Sequence, residues 1–398
     1  MIKNKNYSKI LEDTKNLKWC ALVTTGRVGS DFFQSLLDGH PEIFVINGPL
    51  IFYDFWEKAD TVKNAINLCS EDIIEEFVGY HITKFKSYYD LQERKNELGE
   101  NRDQSINIDI EEYKFHLKNL LHLSPISSKT FLKAVYLSWA ICMKEDLTKK
   151  KIFFHHIHHI WRLDRFLVDY PNSKILAMTR DPRASYVSGV ENWFKYSSLT
   201  KHPGHVYFVL KRTIEDASYL EKFSPNFRVL KLEDLGNKMI LKKFCDWIGV
   251  KYNNCMTSST WNGLRWWGDK LSQQKIKKNE TGFSKSITKN RWLDKLGLLE
   301  KLILKYLLYE RLIWYRYEKK FNKNPFLFVI IFFGILVPTR YERSFFSINK
   351  ILNYIRNNNT RIIFASFYYY ILRVFYFYKI LLFDKKYKKF TLPYFNDY

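Results

Sequence analysis

The sequence predicts an α/β protein built on a mostly parallel sheet with helices on both faces, and three observations carry that prediction. Short apolar runs alternate with stretches of helical spacing through the first 295 residues. Two of these runs stop abruptly at turns bearing Gly, Pro or Arg. Helical spacing then resumes directly after each of those turns. Strands that alternate with helices pair side by side and run parallel, and in such sheets ligands sit beyond the carboxyl ends of the strands. The chain has 398 residues, 46% hydrophobic and 26% charged, enough to bury a sizeable core.

Residues 1–18 read as a polar tail with no apolar run of the kind a signal peptide needs. Residues 19–23 (WCALV) form the first buried strand. It stops at Thr24-Thr25-Gly26-Arg27-Val28-Gly29-Ser30, and helical spacing follows from Asp31 to Leu37. The stretch from about 85 to 125 is polar and reads as a helical insertion or cap, with a loop near 93–105. KTFLKAV (129–135) and KIFFHHI (151–157) read as two more strands. Lys174–Thr179 (KILAMT) is another, ended by Arg180-Asp181-Pro182-Arg183 and followed by a helix from Ala184 to Trp193. Pro182 suits that helix entry, where its missing N–H is no loss. Phe227–Leu232 adds a strand, and helical spacing returns in LEDLGNKMILKKFCDWIGV. Residues 19–295 thus read as one domain.

From about residue 296 the character changes to a basic, aromatic, helical extension. Trp292–Tyr317 carries Leu at helical spacing, and two apolar stretches follow, Phe326–Val337 and Ile362–Phe383. Residues 301–398 hold 18 Lys and Arg against 5 Asp and Glu, so this quarter supplies more than half of the net charge of +23. The first apolar stretch is too short to span a bilayer, and Arg373 and Lys379 interrupt the second. Two readings stay open: helices lying on a membrane surface, or helices packed into a core. So basic a chain asks for an anionic partner, such as a polyphosphorylated nucleotide, an acidic glycan, nucleic acid or an anionic membrane; compositional bias is the plain alternative. Five scattered cysteines without a C-x-x-C pair argue against a disulfide frame or a zinc site. They point to reduced thiols and a cytoplasmic protein, peripheral at the inner membrane face on the first of the two readings.

Two segments have the chemistry of phosphate sites. In the turn after the first strand, glycines let backbone N–H groups approach an anion at a helix N-terminus. Thr25 and Ser30 add hydroxyls there, and Arg27 adds a forked cation. The ordinary nucleotide loop G-x-x-x-x-G-K-[ST] is absent. The second segment, Arg180 to Ser188, places an Arg at a strand end and a hydroxyl eight residues later, about two turns into the following helix. Such a pair suits a dianionic phosphate.

In this order and spacing the two segments resemble the family of sulfotransferases that use 3′-phosphoadenosine 5′-phosphosulfate (PAPS). The likeness is greatest to its glycan-type and bacterial branch, where G-R-x-G-S replaces a lysine-bearing loop. The resemblance covers about residues 18–295 and is specific only at these two places. It implies a P-loop-kinase-like fold, and transfer of a sulfuryl group from PAPS to an acceptor hydroxyl with 3′-phosphoadenosine 5′-phosphate (PAP) as product. It implies that Thr25, Gly26, Arg27, Val28, Gly29, Ser30 and Asp31 form the 5′-phosphosulfate loop, and that Arg180 and Ser188 hold the 3′-phosphate. Leu230–Leu235 (LKLEDL) is similar to the family's Y-E-D-L segment, with Leu for Tyr. Gly282-Phe283-Ser284-Lys285, followed by Arg291-Trp292, resembles the late loop that closes over the donor, which implies Lys285 at the 3′-phosphate.

Sulfuryl transfer is an in-line displacement at sulfur, so a base takes the acceptor proton and a cation steadies the leaving phosphate oxygen. The resemblance gives the cation's role to Arg27 and the base's role to a His or a Glu. His155-His156-Ile157-His158-His159 ends a predicted strand, where cytosolic members carry a catalytic His, and His158 stands 22 residues before Arg180. His158 is the first candidate and His156, on the same face of an extended chain, the second. A purely structural hydrogen bond is the alternative for each histidine, and no Cys or carboxylate pattern supports zinc. Glu42 and Asp54 are rival bases, because glycan-type members use a carboxylate soon after the first loop. Trp261, Trp266 and Trp267 offer either a stacking wall for a sugar or buried packing. The expected acceptor is a carbohydrate hydroxyl, with a lipid or small metabolite as alternatives. Two other classes compete: a P-loop-like kinase or NTPase, for which the loop Lys is missing, and a non-catalytic membrane-surface protein, which leaves the phosphate segments unexplained. Nucleic acid is not expected as a partner.

Overall fold

The computed structural model describes residues 6–24, 26–64, 69–85, 97–196, 202–215, 226–268, 281–284, 288, 291–383 and 394–395. Five strands form its centre: β1 (Lys18–Thr24), β2 (Ile43–Val45), β3 (Ile152–His159), β4 (Lys174–Thr179) and β5 (Phe227–Lys231). They lie in the order β2-β3-β1-β4-β5, and every pairing between them is parallel. This is the α/β class that the alternation of apolar runs and helices predicts. β1 has no solvent face: Cys20, Ala21, Leu22 and Val23 are fully buried. Burying a Val or Leu side chain contributes roughly 1.5–3 kcal/mol, so an unbroken apolar strand is stable only in the middle of the sheet. Helices Ser30–Leu37, Pro182–Tyr196 and Lys238–Ile248 follow β1, β4 and β5.

One predicted strand is a helix. Residues 129–135 lie within the helix Ser128–Cys142, which opens with a capping box between Ser127 and Thr130. Phe131, Leu132, Val135 and Tyr136 are buried, and so is almost every side chain from there to Ile141. Of the seven residues 129–135, Lys129, Thr130 and Lys133 are not buried, and the four-residue spacing of the two lysines fits a strand as well as a helix in so short a window. The short β2 was not anticipated; its three residues sit in the connection DGHPEIFV. In the stretch read as an insertion, Leu98 and Gln104 form an isolated bridge. The helix Ile110–Leu121 there, capped by Asp109, lays Tyr113 against Phe85 and Trp139.

The C-terminal quarter folds into the helices Leu298–Leu307, Tyr309–Trp314, Pro325–Gly334, Arg340–Phe346, Ile348–Arg356 and Thr360–Tyr378. Their inner faces form a second apolar core together with Tyr186, Val190, Val206 and Leu210 from the helices that follow β4. Residues 311–318 also reach the sheet. Arg311 donates to Thr179 Oγ1 (3.1 Å), Lys231 Nζ to the Tyr315 carbonyl (3.2 Å) and Tyr317 to Glu233 (2.9 Å). Among the described residues no helix is long and apolar enough to cross a membrane.

Candidate active site

The turn after β1 is held open by backbone conformation. Gly26, Arg27 and Gly29 all have positive φ, at 95°, 57° and 83°. Glycine adopts that region freely, and Arg27 is placed there at a cost. The Gly26 N–H donates to Thr24 Oγ1 (2.9 Å) and the Phe33 N–H to the Gly29 carbonyl (2.9 Å), which starts the helix Ser30–Leu37. A side chain at Gly29 would meet Leu232 at 2.5 Å, so only glycine fits. The helix start leaves its first N–H groups without helical partners, the ordinary setting for an anion. Val28 is buried beneath the turn, and Ser30 is half-buried at its mouth. Asp31 turns toward β3, with Oδ1 3.7 Å from His156 Nδ1. Thr25 lies outside the described residues.

The segment Arg180–Ser188 meets this turn directly. Arg180 Nη1 donates to the Arg27 carbonyl (3.3 Å), and Arg27 Nε donates to Ser188 Oγ (3.3 Å). β1 and β4 are hydrogen-bonded neighbours, so their carboxyl ends bring Arg27, Arg180 and Ser188 together. Glu233, just past β5, accepts from the Asp181 N–H (3.2 Å) and the Tyr317 hydroxyl, and its charge acts on Arg180. Burial lowers the pKa of Arg180 and raises that of Glu233, each working against the other's charge. Among the described residues Arg180 Nε is buried and has no acceptor. A buried donor left unbonded costs about 1–3 kcal/mol, and a phosphate oxygen would relieve it. Arg183 is used otherwise: it pairs with Asp181 at 2.7 Å and with Glu318, and lies 4.1 Å over Trp292.

On the other side of β1 the histidines of β3 separate. His155 points into the core, where Tyr136 bonds its Nδ1 (3.0 Å) and Phe166 stacks on it; burial pushes its pKa down to about 3. His156 lies on the opposite face, bonded through Nδ1 to Gln34 (2.9 Å), and burial holds it far below the usual imidazole range. The pairing with β1 then slips: His156 stands opposite Leu22 and His158 opposite Val23, so Ile157 is a bulge. Bulges re-aim side chains, and His158 takes φ 65°. Its ring lies 5.4 Å from that of His156 and 5.0 Å from that of His159. Burial, then the neighbouring His159, Arg212 and Lys84, push its pKa down to about 4, with Asp54 pulling the other way. His158 Nδ1 is buried without a hydrogen bond among the described residues.

The rival carboxylates lie in different places. Asp54 binds His159 Nδ1 (2.9 Å) and takes two bonds from Arg162 (3.1 and 3.0 Å); although burial raises its pKa, these partners bring it below the usual carboxylate value. A carboxylate so engaged is a weak base. Glu42 is at the opposite end of the sheet. Its carbonyl accepts the Lys151 N–H (2.8 Å) before β3 begins, and its carboxylate takes Lys151 and the Lys251 N–H (2.7 Å). The stacking wall is not formed by Trp261, Trp266 and Trp267, which are all buried. The guanidinium groups of Arg102 and Arg265 lie over the Trp267 ring, at 4.3 and 3.8 Å. The late loop does approach the site: Phe283 packs on Phe32 and against Gly236. Lys285 lies outside the described residues. Among those residues no cluster of three His, Cys, Asp or Glu side chains is placed to hold a metal.

Sequence reading missed Arg212. On the helix Pro203–Glu215, its Nη2 comes within 3.7 Å of where a Cβ on Gly26 would stand, and its charge bears on His158. No motif in PGHVYFVLKRTIE marks it, because only tertiary packing brings it to the loop. The site thus has a central turn with two arginines, Arg27 and Arg212. Arg180 and Ser188 lie on its β4 side and His158 on its β3 side. No known family's sequence model matches the chain, and no curated protein matches it. Among solved structures it is similar to the sulfotransferase domain from the curacin biosynthetic pathway. That likeness has 13% identity and a TM-score of 0.40, and covers 79% of this chain and 96% of that one. So distant a likeness carries no argument about activity.

Proposed function

We propose that this site transfers a sulfuryl group from PAPS to an acceptor hydroxyl. The observation that carries the reading is the meeting of Arg27, Arg180 and Ser188 at the ends of adjacent strands. A donor with one phosphate at each end needs two anion sites a short distance apart, and the two segments that resemble the family's phosphate motifs supply them. The turn Gly26–Ser30 takes the 5′-phosphosulfate and Arg180 with Ser188 takes the 3′-phosphate. Arg27 and Arg212 steady the charge that grows on the leaving phosphate oxygen. The acceptor oxygen bonds to sulfur as the bond from sulfur to the phosphate oxygen breaks, and the acceptor proton passes to His158, which is neutral at pH 7. Negative charge on the donor raises the basicity of that imidazole once the donor is bound. A carbohydrate hydroxyl is our proposed acceptor. Its support is the branch that the G-R-x-G-S loop resembles, since the tryptophans pack internally.

Calorimetric titration with PAP tests the reading. The wild-type chain is expected to bind it, and Arg180→Ala to bind on the order of a hundredfold more weakly, because truncation removes a buried charged partner. Equal affinities, or no binding by wild type, would refute the donor assignment. Transfer of labelled sulfate from PAPS to a glycan panel then tests the acceptor.

A further inference from the structure

The C-terminal helices carry a feature that donor chemistry does not use. Amphipathic helices of a folded core turn their apolar side inward, yet Ile348–Arg356 buries none of its residues. Ile348, Leu352 and Ile355, spaced for one helical face, are exposed, with Ile348 at 76%. The next helix, Thr360–Tyr378, repeats the arrangement on a longer scale. Phe364, Phe367, Ile371 and Phe375 lie along one face and are exposed, at 75% for Phe364 and 69% for Phe375. The cation in its middle does not interrupt this face. Arg373 is 1% exposed, paired with Glu342 at 2.8 Å and donating to the carbonyls of Ile335 and Val337. Arg361 and Lys379, by contrast, are exposed at the two ends of the apolar ridge.

The charge around this face has one sign. From Arg343 to Phe383 inclusive the chain contains six Lys and Arg and no Asp or Glu; Arg373 pairs with Glu342 and Arg343 feels the charge of Glu300. Two copies of this chain meeting face to face would bring those cations together. An anionic bilayer instead accepts both features, the rings and aliphatic side chains in its interfacial layer and the cations at its headgroups. A spanning arrangement is not available to the described helices, so the contact is with one leaflet.

We propose that the faces Ile348–Ile355 and Phe364–Phe375 dock this protein on the surface of an anionic membrane. The docking stands whichever reaction the site performs. The full chain is to be sedimented with vesicles of phosphatidylcholine alone and of phosphatidylcholine mixed with phosphatidylserine. Binding is expected only to the anionic vesicles, weakened by salt, and lost in the triple variant Phe364→Ser, Ile371→Ser, Phe375→Ser. Arg361→Gln and Lys379→Gln are each expected to weaken it about fivefold, and these exposed sites keep the variants folded, which an unchanged circular dichroism melt verifies. Equal binding to both vesicle types, wild-type binding by a folded triple variant, or a dimer that the triple variant abolishes with no vesicle binding at all would overturn the proposal.

Discussion

The two flanks of β1 start from similar material and end as chemical opposites. On each side a parallel strand ends in polar residues: Arg180 after β4, and His155 to His159 at the end of β3. The β4 flank is cross-linked to the central turn by Arg180 and by Ser188, and its polar groups converge on one place. The β3 flank disperses its histidines. His155 is committed to the core, His156 to Gln34 and His159 to Asp54. His155 and His156 are bonded through Nδ1 and keep Nε2 unbonded, whereas His158, re-aimed by the bulge, keeps its Nδ1 unbonded among the described residues. The β4 flank gathers its donors on one place, and the β3 flank engages most of its histidines with separate partners.

The largest effect that tests this contrast is at His158. Its φ of 65° is tolerated by Asn better than by Ala, so His158→Asn keeps the backbone while removing the proton acceptor. Turnover in a PAPS assay is expected to fall by about 10²–10⁴, with PAP affinity unchanged; normal turnover would make the contrast between the flanks false. The pH profile carries the same assignment. With a folded value of about 4, His158 is protonated and inactive below that pH, so kcat/KM of wild type rises through about pH 4 and levels above it. Stability follows with the same sign. His155 and His158 sit at about 3 and about 4, below the ordinary 6.5. Between those values the unfolded chain binds more protons than the folded one. Their contribution is complete above pH 6.5 and lost as the pH falls, which melting curves across that window will show.

A smaller effect sharpens the β4 side. Ser188→Ala removes one hydroxyl from the proposed 3′-phosphate site and the acceptor for Arg27 Nε, while Arg180 stays. A hydrogen bond to a charged group is worth about 1.5–3 kcal/mol, so PAP affinity should drop about tenfold, well short of the loss at Arg180. An equal loss at both positions would mean that the hydroxyl and the guanidinium act as a single unit.

The two flanks were unequally legible in the sequence. Arg180, Pro182 and Ser188 lie within nine residues of one strand and helix, so local spacing alone placed them on one site. β1, β3, β4 and β5 were likewise readable, since buried parallel strands are apolar runs closed by turn residues. The helix over 129–135 was not, because the four-residue spacing of Lys129 and Lys133 at its surface fits period 3.6 and period 2 alike. On the β3 side the run of histidines marks a strand end without telling its members apart. Choosing among its members needed the bulge at Ile157 and the partners Tyr136, Gln34 and Asp54, none of which is adjacent in sequence. Arg212 and Tyr317 arrive from distant helices and carry no local mark.

The smallest expected effect bears on the carboxylate candidates. Glu42 and Asp54 are twelve residues apart in sequence, yet the chain between them, β2 and the residues after it, carries Asp54 from the start of β3 to its end. Glu42 is anchored where β2 and β3 begin, through Lys151 and the Lys251 N–H, and Asp54 beside His159 where β3 ends. Glu42→Gln is therefore expected to leave turnover and PAP affinity at wild-type values and to cost under about 1 kcal/mol in chemical denaturation, the range for an ion pair near the surface. Asp54→Asn, by contrast, frees His159 and alters the charge felt by His158, and so shifts the lower limb of the pH profile while turnover at neutral pH persists. A large loss of turnover in Glu42→Gln would place the reaction at the wrong end of the strands, and with it the whole assignment of the turn after β1 as the donor site.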